Sequence, residues 1–475
     1  MGITQSMLHR CVLAAVGGNS SLTAFPGDPF YHISAVRPYN LNFPVTPAAI
    51  ASPVTRDQVA AVIKCAVDGG HKVQARSGGH SYGNYGLGGT NNAVVVDLQH
   101  FRQFSLDNST YVATIGPGLT LDDISKLLHN DGRAITHGTC PQVGVGGHLT
   151  IGGLGPTSRQ WGLSLDHVEE VEVVLANSSI VRASDTENSD LFFAVKGAAS
   201  SFGVVTEFKV RTHPEPEQAV QYSFTFDFSS TSERAQLFKD WQTFISDTEL
   251  TRNFTSSLVA FEGGAVITGI FFGSKAEFDK FRIQHCFPGQ NPSYESVVVL
   301  DDWLGMLTSD AEDLILKASG GIPNWFYAKS LSFTPQSLIP SSVVDDLFRH
   351  FASADKGGAI WFVIFDLEGG AVNDHAVNST AYPHRNTLFW MQSYAISPLH
   401  GTSNQTFDFL NGISNIIRSS LPANDLGAYP GYVDPFLDHA QTAYWGPNLQ
   451  RLQEIKASFD PKDLFHNPQS VKAGN

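Results

Sequence analysis

The chain has 475 residues, 42% of them hydrophobic and only 16% charged, and carries a formal net charge of −15. That length exceeds what one hydrophobic core fills, so two domains are expected. The acidic balance argues against nucleic acid and anionic membrane surfaces as partners, and no apolar run reaches the roughly 18 residues of a membrane helix.

At the N-terminus the apolar stretch Val12 to Val16 is short for a secretory h-region and has no cleavage-like end. Two readings stay open, a cytoplasmic protein or one whose signal peptide has been removed. Sequons at Asn19, Asn108, Asn177, Asn253, Asn378 and Asn404 favour the second, so a secreted, extracellular glycoprotein is expected. Four cysteines without CxxC spacing give neither a disulfide scaffold nor a zinc site, and no metal is expected. Cys11 and Cys65 each fall in a helical pattern, LHRCVLAAV and QVAAVIKCAV. A disulfide between them would tie down the N-terminal segment in an oxidising compartment.

From Thr55 the pattern is that of an α/β unit. TRDQVAAVIKCAVDGG reads as a helix capped by Thr55 and ended by Gly69 and Gly70, followed by the strand HKVQARS. AVVVDL and TYVATIG are further strands, and LTLDDISKLLHNDG is a helix with Thr120 as cap. VEEVEVVLANSSIVRAS is two strands about an Asn-Ser turn, DLFFAVKG a short helix and FGVVTEFKV a strand. After His213-Pro214 the composition changes. Long alternating strands follow, namely QYSFTFDF, SLVAFEGGAVITGIFF, AIWFVIFDLEGG and TLFWMQSYAI, with helices such as SERAQLFKDWQTFISD and SSVVDDLFRHFA between them. Wide strands with helices on one side describe an antiparallel α+β domain.

Two glycine-rich segments carry the chemistry. RSGGHSYGNYGLGG (76–89) directly follows a strand, and THGTCPQVGVGGHLTIGGLGPTSRQWGL (136–163) holds eight glycines. Neither is a Rossmann fingerprint or a P-loop. Glycine lets the backbone approach a ligand closely and turn its N–H groups inward, and each segment also presents a nucleophilic side chain.

GGHSYGNYG, HGTCPQVGVGGHLTIGGLG, SFGVVTEF and FDPKDLFHNPQS together resemble the berberine-bridge-enzyme-like branch of the vanillyl-alcohol-oxidase flavoproteins, and most of all fungal gluco- and chito-oligosaccharide oxidases. The likeness runs from Cys11 to Ser470. It implies an α+β, two-domain, PCMH-type FAD-binding fold. Residues 1–213 would bind FAD, residues 214–424 would form a substrate domain of large antiparallel sheet flanked by helices, and residues 425–475 would return to the FAD domain. It also implies FAD bonded twice, His80 to the flavin 8α carbon and Cys140 to ring carbon six. Imidazole and thiolate are the common side chains nucleophilic enough for such attack.

By the same resemblance Arg76, Ser77, Gly78, Gly79, Ser81, Tyr82, Val143, Gly144, Gly146, Gly147, His148, Gly153 and Val205 would line the cofactor. His148 reads as a structural histidine near the phosphates, and the small Val143 would leave space for dioxygen. Tyr432, in AYPGYVDPF, matches the catalytic base, and Asp366 the carboxylate that accepts its hydrogen bond. Tyr82, Gln392, Trp361 and Tyr327 would contact substrate; for Trp361, Tyr327, Trp325 and Tyr429 core packing in strands is an equal reading.

Three departures touch the substrate. Ile364 stands where the sugar oxidases carry a polar residue, Asn324 where they carry an acid, and Arg159 lies in a divergent GPTSRQWG segment. A drier subsite would leave sugar hydroxyls unpaired. The leading expectation is a monomeric oxidase that turns the anomeric hydroxyl of an oligosaccharide into a lactone, with dioxygen reduced to hydrogen peroxide. The alternative is an oxidase of a fungal secondary metabolite or aryl alcohol. A flavoprotein with a decayed substrate site is disfavoured by the presence of both Tyr432 and Asp366.

Overall fold

In the computed structural model, residues 3–308, 323–399, 401–422 and 426–474 are described. The N-terminal helix Ile3–Ala15 packs on the helix Arg56–Gly69, and a disulfide joins Cys11 to Cys65 across the contact, with a Cα–Cα distance of 5.7 Å. The second helix begins and ends as its sequence dictates. The Thr55 hydroxyl accepts from the Gln58 N–H, and Gly70 closes the helix in the left-handed region at φ 70°. This pair covers a four-stranded sheet ordered Thr23–Ala24, Ala49–Ala51, Val94–Asp97, Val73–Arg76, whose last three strands run parallel.

A second, five-stranded antiparallel sheet follows in the order Phe104–Leu106, Val112–Ile115, Val204–Arg211, Val168–Val174, Ile180–Ser184. The helix Leu121–His129 packs against it, started by a capping box between Thr120 and Asp123. The glycine-rich stretch expected as loop contains two short helices, Val145–Ile151 and Ser158–Trp161. Glycine density hid them, since each glycine costs a helix about 1 kcal/mol that only packing recovers.

The larger sheet has seven antiparallel strands, ordered Tyr294–Leu300, Ala219–Asp227, Gly264–Phe272, Ser257–Phe261, Ile360–Leu367, Phe389–Ser397, Trp325–Phe333. The stretch SLVAFEGGAVITGIFF, read as one strand, is a hairpin: Phe261 faces Gly264 across a two-residue turn at Glu262-Gly263, where Gly263 has φ 86°. Helices Thr231–Ile245, Ser341–Ser353 and Asn404–Arg418 cover one face, with Trp241, Phe348 and Phe409 in its core. The other face turns toward the first two sheets.

The C-terminal segment returns to those sheets. The Lys456 ammonium, fully buried, donates to the Asp460 carboxylate (2.8 Å) and to the carbonyls of Ser201 and Phe465, while Val471 N–H donates to Ser201 Oγ. An ion pair so completely bonded holds the tail against the strand Val73–Arg76, with which Phe465 forms a parallel bridge. The expected boundary at 213/214 falls within the short strand His213–Pro214, which pairs with Arg133–Ala134; that at 424/425 lies outside the described residues.

Candidate active site

Between the first two sheets and the open face of the third lies a cavity of about 370 Å³. Its floor is made by the two glycine-rich segments, which touch backbone to backbone. A Cβ on Gly144 would stand 2.1 Å from the Gly78 nitrogen and 2.2 Å from Ser77 Oγ, and one on Gly78 would stand 2.4 Å from the Gly144 nitrogen. Only glycine allows this approach, which explains the density of the motif. Ser77 Oγ accepts from Gly146 N–H (3.2 Å) and pins the segments together. Gly79, Ser81, Val143, Gly147 and, from the strand Val204–Arg211, Val205 complete this wall.

His80 and Cys140 face the same cavity. Burial holds the imidazole neutral, with its pKa lowered to about 4, and its Nε2 is buried without a hydrogen-bond partner. A neutral ring with a lone pair on offer is what attack on an electrophilic carbon requires. The ring lies 4.0 Å from that of Tyr39. Cys140 takes no part in a disulfide, and is near enough to Tyr39, Tyr82 and Tyr394 that its thiolate, after their burial, helps push those phenols upward. A narrow glycine-floored cleft with an orphaned imidazole nitrogen and a thiol on its wall fits a flavin dinucleotide tethered at two points.

The remaining cofactor candidates divide. His148 lines the cavity, but its Nε2 accepts from Gly138 N–H (3.0 Å) and burial lowers its pKa to about 3, so it is a neutral structural residue. The Arg76 guanidinium pairs with buried Asp97 and donates to the carbonyls of Ala35 (2.8 Å) and Val36 (2.7 Å), leaving the residue to line the cavity without a free cation. Gly153 is a correction. It is absent from the cavity wall, packs on Ser164 in a left-handed conformation (φ 84°), and donates its N–H to Tyr429 Oη (2.9 Å).

On the opposite wall stand Tyr432, Asp366, Gln392 and Tyr82. Tyr82 and Tyr432 are stacked, ring centroids 6.2 Å apart, and Gln392 Nε2 donates to Tyr82 Oη (3.1 Å). Asp366 accepts from Ser257 Oγ (2.8 Å) on the neighbouring strand. The segment carrying Tyr432 runs along the edge strand Trp325–Phe333, fixed by Gly427 N–H to Ser332 Oγ (2.8 Å) and Tyr429 N–H to Ser330 Oγ (3.0 Å).

Strand parity overturns two expected substrate contacts. Asp366 and Ile364 face the cavity side, so Trp361, at odd spacing from both, points to the helices. It packs on Phe351 and Phe409 and donates to Glu262 (2.8 Å). Tyr327 also faces away, 1% exposed, donating to Asp434 (2.8 Å). Both are core residues of the helix side. Tyr429 serves both readings, since it is packed with Trp390 and Tyr382 and also lines the cavity.

Two residues escaped the sequence reading. Tyr39 carries no motif; its place beside His80 is set by Asn84, whose side chain accepts from the Tyr39 and Asn40 N–H groups. Glu368 lines the cavity two residues beyond Asp366, a spacing of 2 that on a strand means the same face. Arg159 is buried and donates to the carbonyls of Phe254 (2.7 Å), Thr251 (3.3 Å) and Glu368, clamping the glycine-rich segment to the large sheet.

Two family models match the chain, "FAD binding domain" over residues 47–184 and "Berberine and berberine like" over residues 428–472. FAD-linked oxidoreductase sorD of Penicillium rubens is 43% identical over 98% of both chains. Among solved structures, xylooligosaccharide oxidase from Myceliophthora thermophila C1 in complex with xylobiose superposes with a TM-score of 0.89 at 31% identity, over 99% of this chain and all of that one. Glucooligosaccharide oxidase from Acremonium strictum, described with a 6-S-cysteinyl, 8α-N1-histidyl FAD, gives 0.87 at 31% identity over 98% of this chain and 99% of its own. The cavity, its paired nucleophiles and these likenesses agree that the chain belongs to the berberine-bridge-enzyme-like FAD-linked oxidoreductases of the vanillyl-alcohol-oxidase family.

Proposed function

We propose that the chain is an FAD-dependent oxidase that removes hydrogen from the CH–OH carbon of a mainly apolar alcohol, aryl or conjugated in character, with dioxygen as electron acceptor. His80 and Cys140 would hold FAD, which when bound would supply the hydride acceptor and the reducing equivalents for dioxygen. Tyr432 takes the hydroxyl proton of the substrate as its own phenolic proton moves to Asp366. Tyr82, buried and bonded to Gln392, forms one side of the slot in which the carbinol must lie.

The observation that supports this substrate class is the apolar cluster packed behind Tyr82 and Gln392. Ile364, 3% exposed, pairs across the sheet with Val259 and Gln392. In the next row Phe362 pairs with Tyr394, and Phe326 stacks on Tyr394 from the diagonal position, giving three near-parallel rings with centroids 5.1 and 5.0 Å apart. Tyr39 and Tyr82 close on this ladder. A substrate group that reaches past Gln392 toward this cluster meets few polar partners, so each sugar hydroxyl buried there unpaired costs about 1–3 kcal/mol, a cost an apolar ring does not bear.

A second reading, oxidation of an oligosaccharide at its anomeric hydroxyl to a lactone, draws support from Gln392 and from the sugar-oxidising relatives. Extracellular location under either reading is favoured by the Cys11–Cys65 disulfide and by exposed Asn19, Asn108, Asn177, Asn378 and Asn404. Peroxide release measured across aryl and conjugated alcohols beside mono- and oligosaccharides decides the matter. The proposal expects a higher kcat/KM for the former; sugars turned over faster would replace it with the second reading.

A further inference from the structure

Asp366 lies on the strand Ile360–Leu367, and Glu368 sits one residue past its end, where its N–H still donates to the Leu388 carbonyl (2.7 Å) and keeps the chain extended; both side chains line the cavity. Side chains two residues apart on a strand stand only about 7 Å apart. Two carboxylates at that spacing in a buried site do not both ionise without compensating cations. Two cations stand near the pair, but among the described residues neither donates to Glu368 Oε1, and their pull on Glu368 is outweighed by its burial and by the Asp366 charge. Arg159, on the helix Ser158–Trp161, gives its N–H groups to the carbonyls of Phe254, Thr251 and Glu368 itself. Arg385, on the segment before the strand Phe389–Ser397, holds Asp166 through both terminal nitrogens and also donates to Thr380 and Val372. The other titratable groups facing Glu368 are Tyr382, Tyr429 and Asp166.

Among the described residues no donor reaches Glu368 Oε1, although the residue is only 4% exposed. Asp366, by contrast, accepts from Ser257 Oγ and remains half-buried. We propose that Glu368 is a positioning residue for the base. The two carboxyls carry one negative charge between them, the proton sits on Glu368, and Asp366 is thereby kept ionised as the acceptor for the Tyr432 proton. Glu368 transfers nothing itself. Burial, then the Asp366 charge, raises its pKa well above the usual carboxylate range, in the direction this division requires. The role assigned to Asp366 rests on the base chemistry proposed above, but the shared charge does not.

Infrared titration of the FAD-loaded protein reads the pair without turnover. A protonated-carboxyl band persisting at neutral pH is expected in the unmutated chain, shifted by carboxyl-13C glutamate and lost in Glu368→Gln. In Asp366→Asn, with the neighbouring charge gone, the same band should titrate at least about one pH unit lower, a tenfold change in its proton affinity. An absent band, or a midpoint that Asp366→Asn leaves in place, overturns the proposal even if that variant reduces its flavin slowly. A band that moves as expected sustains the shared charge even if Tyr432 proves not to be the base. If Glu368→Gln does not fold, the isotope shift and the Asp366→Asn titration still decide it.

Discussion

At the level of the single residue, the two groups proposed to bond the flavin, His80 and Cys140, face one cavity. His80 is neutral and has a buried nitrogen without a partner, and Cys140 is outside any disulfide. Acid precipitation should leave the yellow colour in the protein pellet. His80→Ala and Cys140→Ala should each keep one bond, and the double variant should release FAD; colour in the supernatant of the unmutated protein would refute double attachment. The base is tested separately. Tyr432→Phe should retain the covalent flavin and its spectrum while slowing anaerobic flavin reduction by about 10²–10⁴, the usual worth of a positioned base. Asp366→Asn should slow it as well, since an amide accepts the Tyr432 hydrogen bond but not its proton. Stopped-flow reduction at the unmutated rate in Tyr432→Phe would transfer the role to another group.

Among the elements, the N-terminal helix pair offers the clearest test. A bridge closing the stretch from Cys11 to Cys65 is worth about 2–4 kcal/mol, mainly by constraining the unfolded chain. A non-reducing digest should yield one linked peptide, and Cys11→Ser with Cys65→Ser should lower the denaturant midpoint. Two thiols that alkylate without reductant would show the bridge absent in solution. Most elements were readable because a cap or a period of 2 fixed them, as at Thr55, Thr120 and the strand carrying Asp366. The failures are as physical. Parity within Ile360–Leu367 was enough to exclude Trp361, five residues from Asp366, but its aromatic character drew attention from its face. Tyr327 was harder to judge, because its face depends on the register Ser330 to Gln392, which sequence does not carry. Tyr39 was invisible, since a contact with His80 across 41 residues rests on an Asn84 side chain rather than on any pattern.

At the scale of the whole molecule, buried groups that hold one protonation state couple the fold to pH, and one of them, Asp166 paired with Arg385, also joins the halves. Burial lowers the pKa of His148 and His167 to about 3, and lowers that of His137 as well. The histidines bond in their neutral forms: His148 accepts from Gly138 N–H, and His137 faces Ser125 Oγ at 2.9 Å. Asp166 acts in the same direction. Burial raises its pKa, but the Arg385 hydrogen bonds and charge outweigh that and hold it below the usual value. For all four groups the folded pKa lies below the unfolded one. Their stabilisation is full above about pH 6.5 for the histidines, and is lost as pH falls toward the folded values because the unfolded chain then binds more protons. Glu368 has the opposite sign. Its raised pKa favours the fold at low pH and disfavours it as pH rises, so it cannot reverse the loss contributed by three histidines in the window below neutrality. Thermal melts of the FAD-loaded protein should therefore show Tm falling by at least about 5 °C between pH 7 and 4.5, since 1 kcal/mol moves a domain of this size by about 2–4 °C. A Tm that stays level or rises on acidification would mean that these histidines are protonated within the fold, and that the cavity around His148 is wetter than its burial implies.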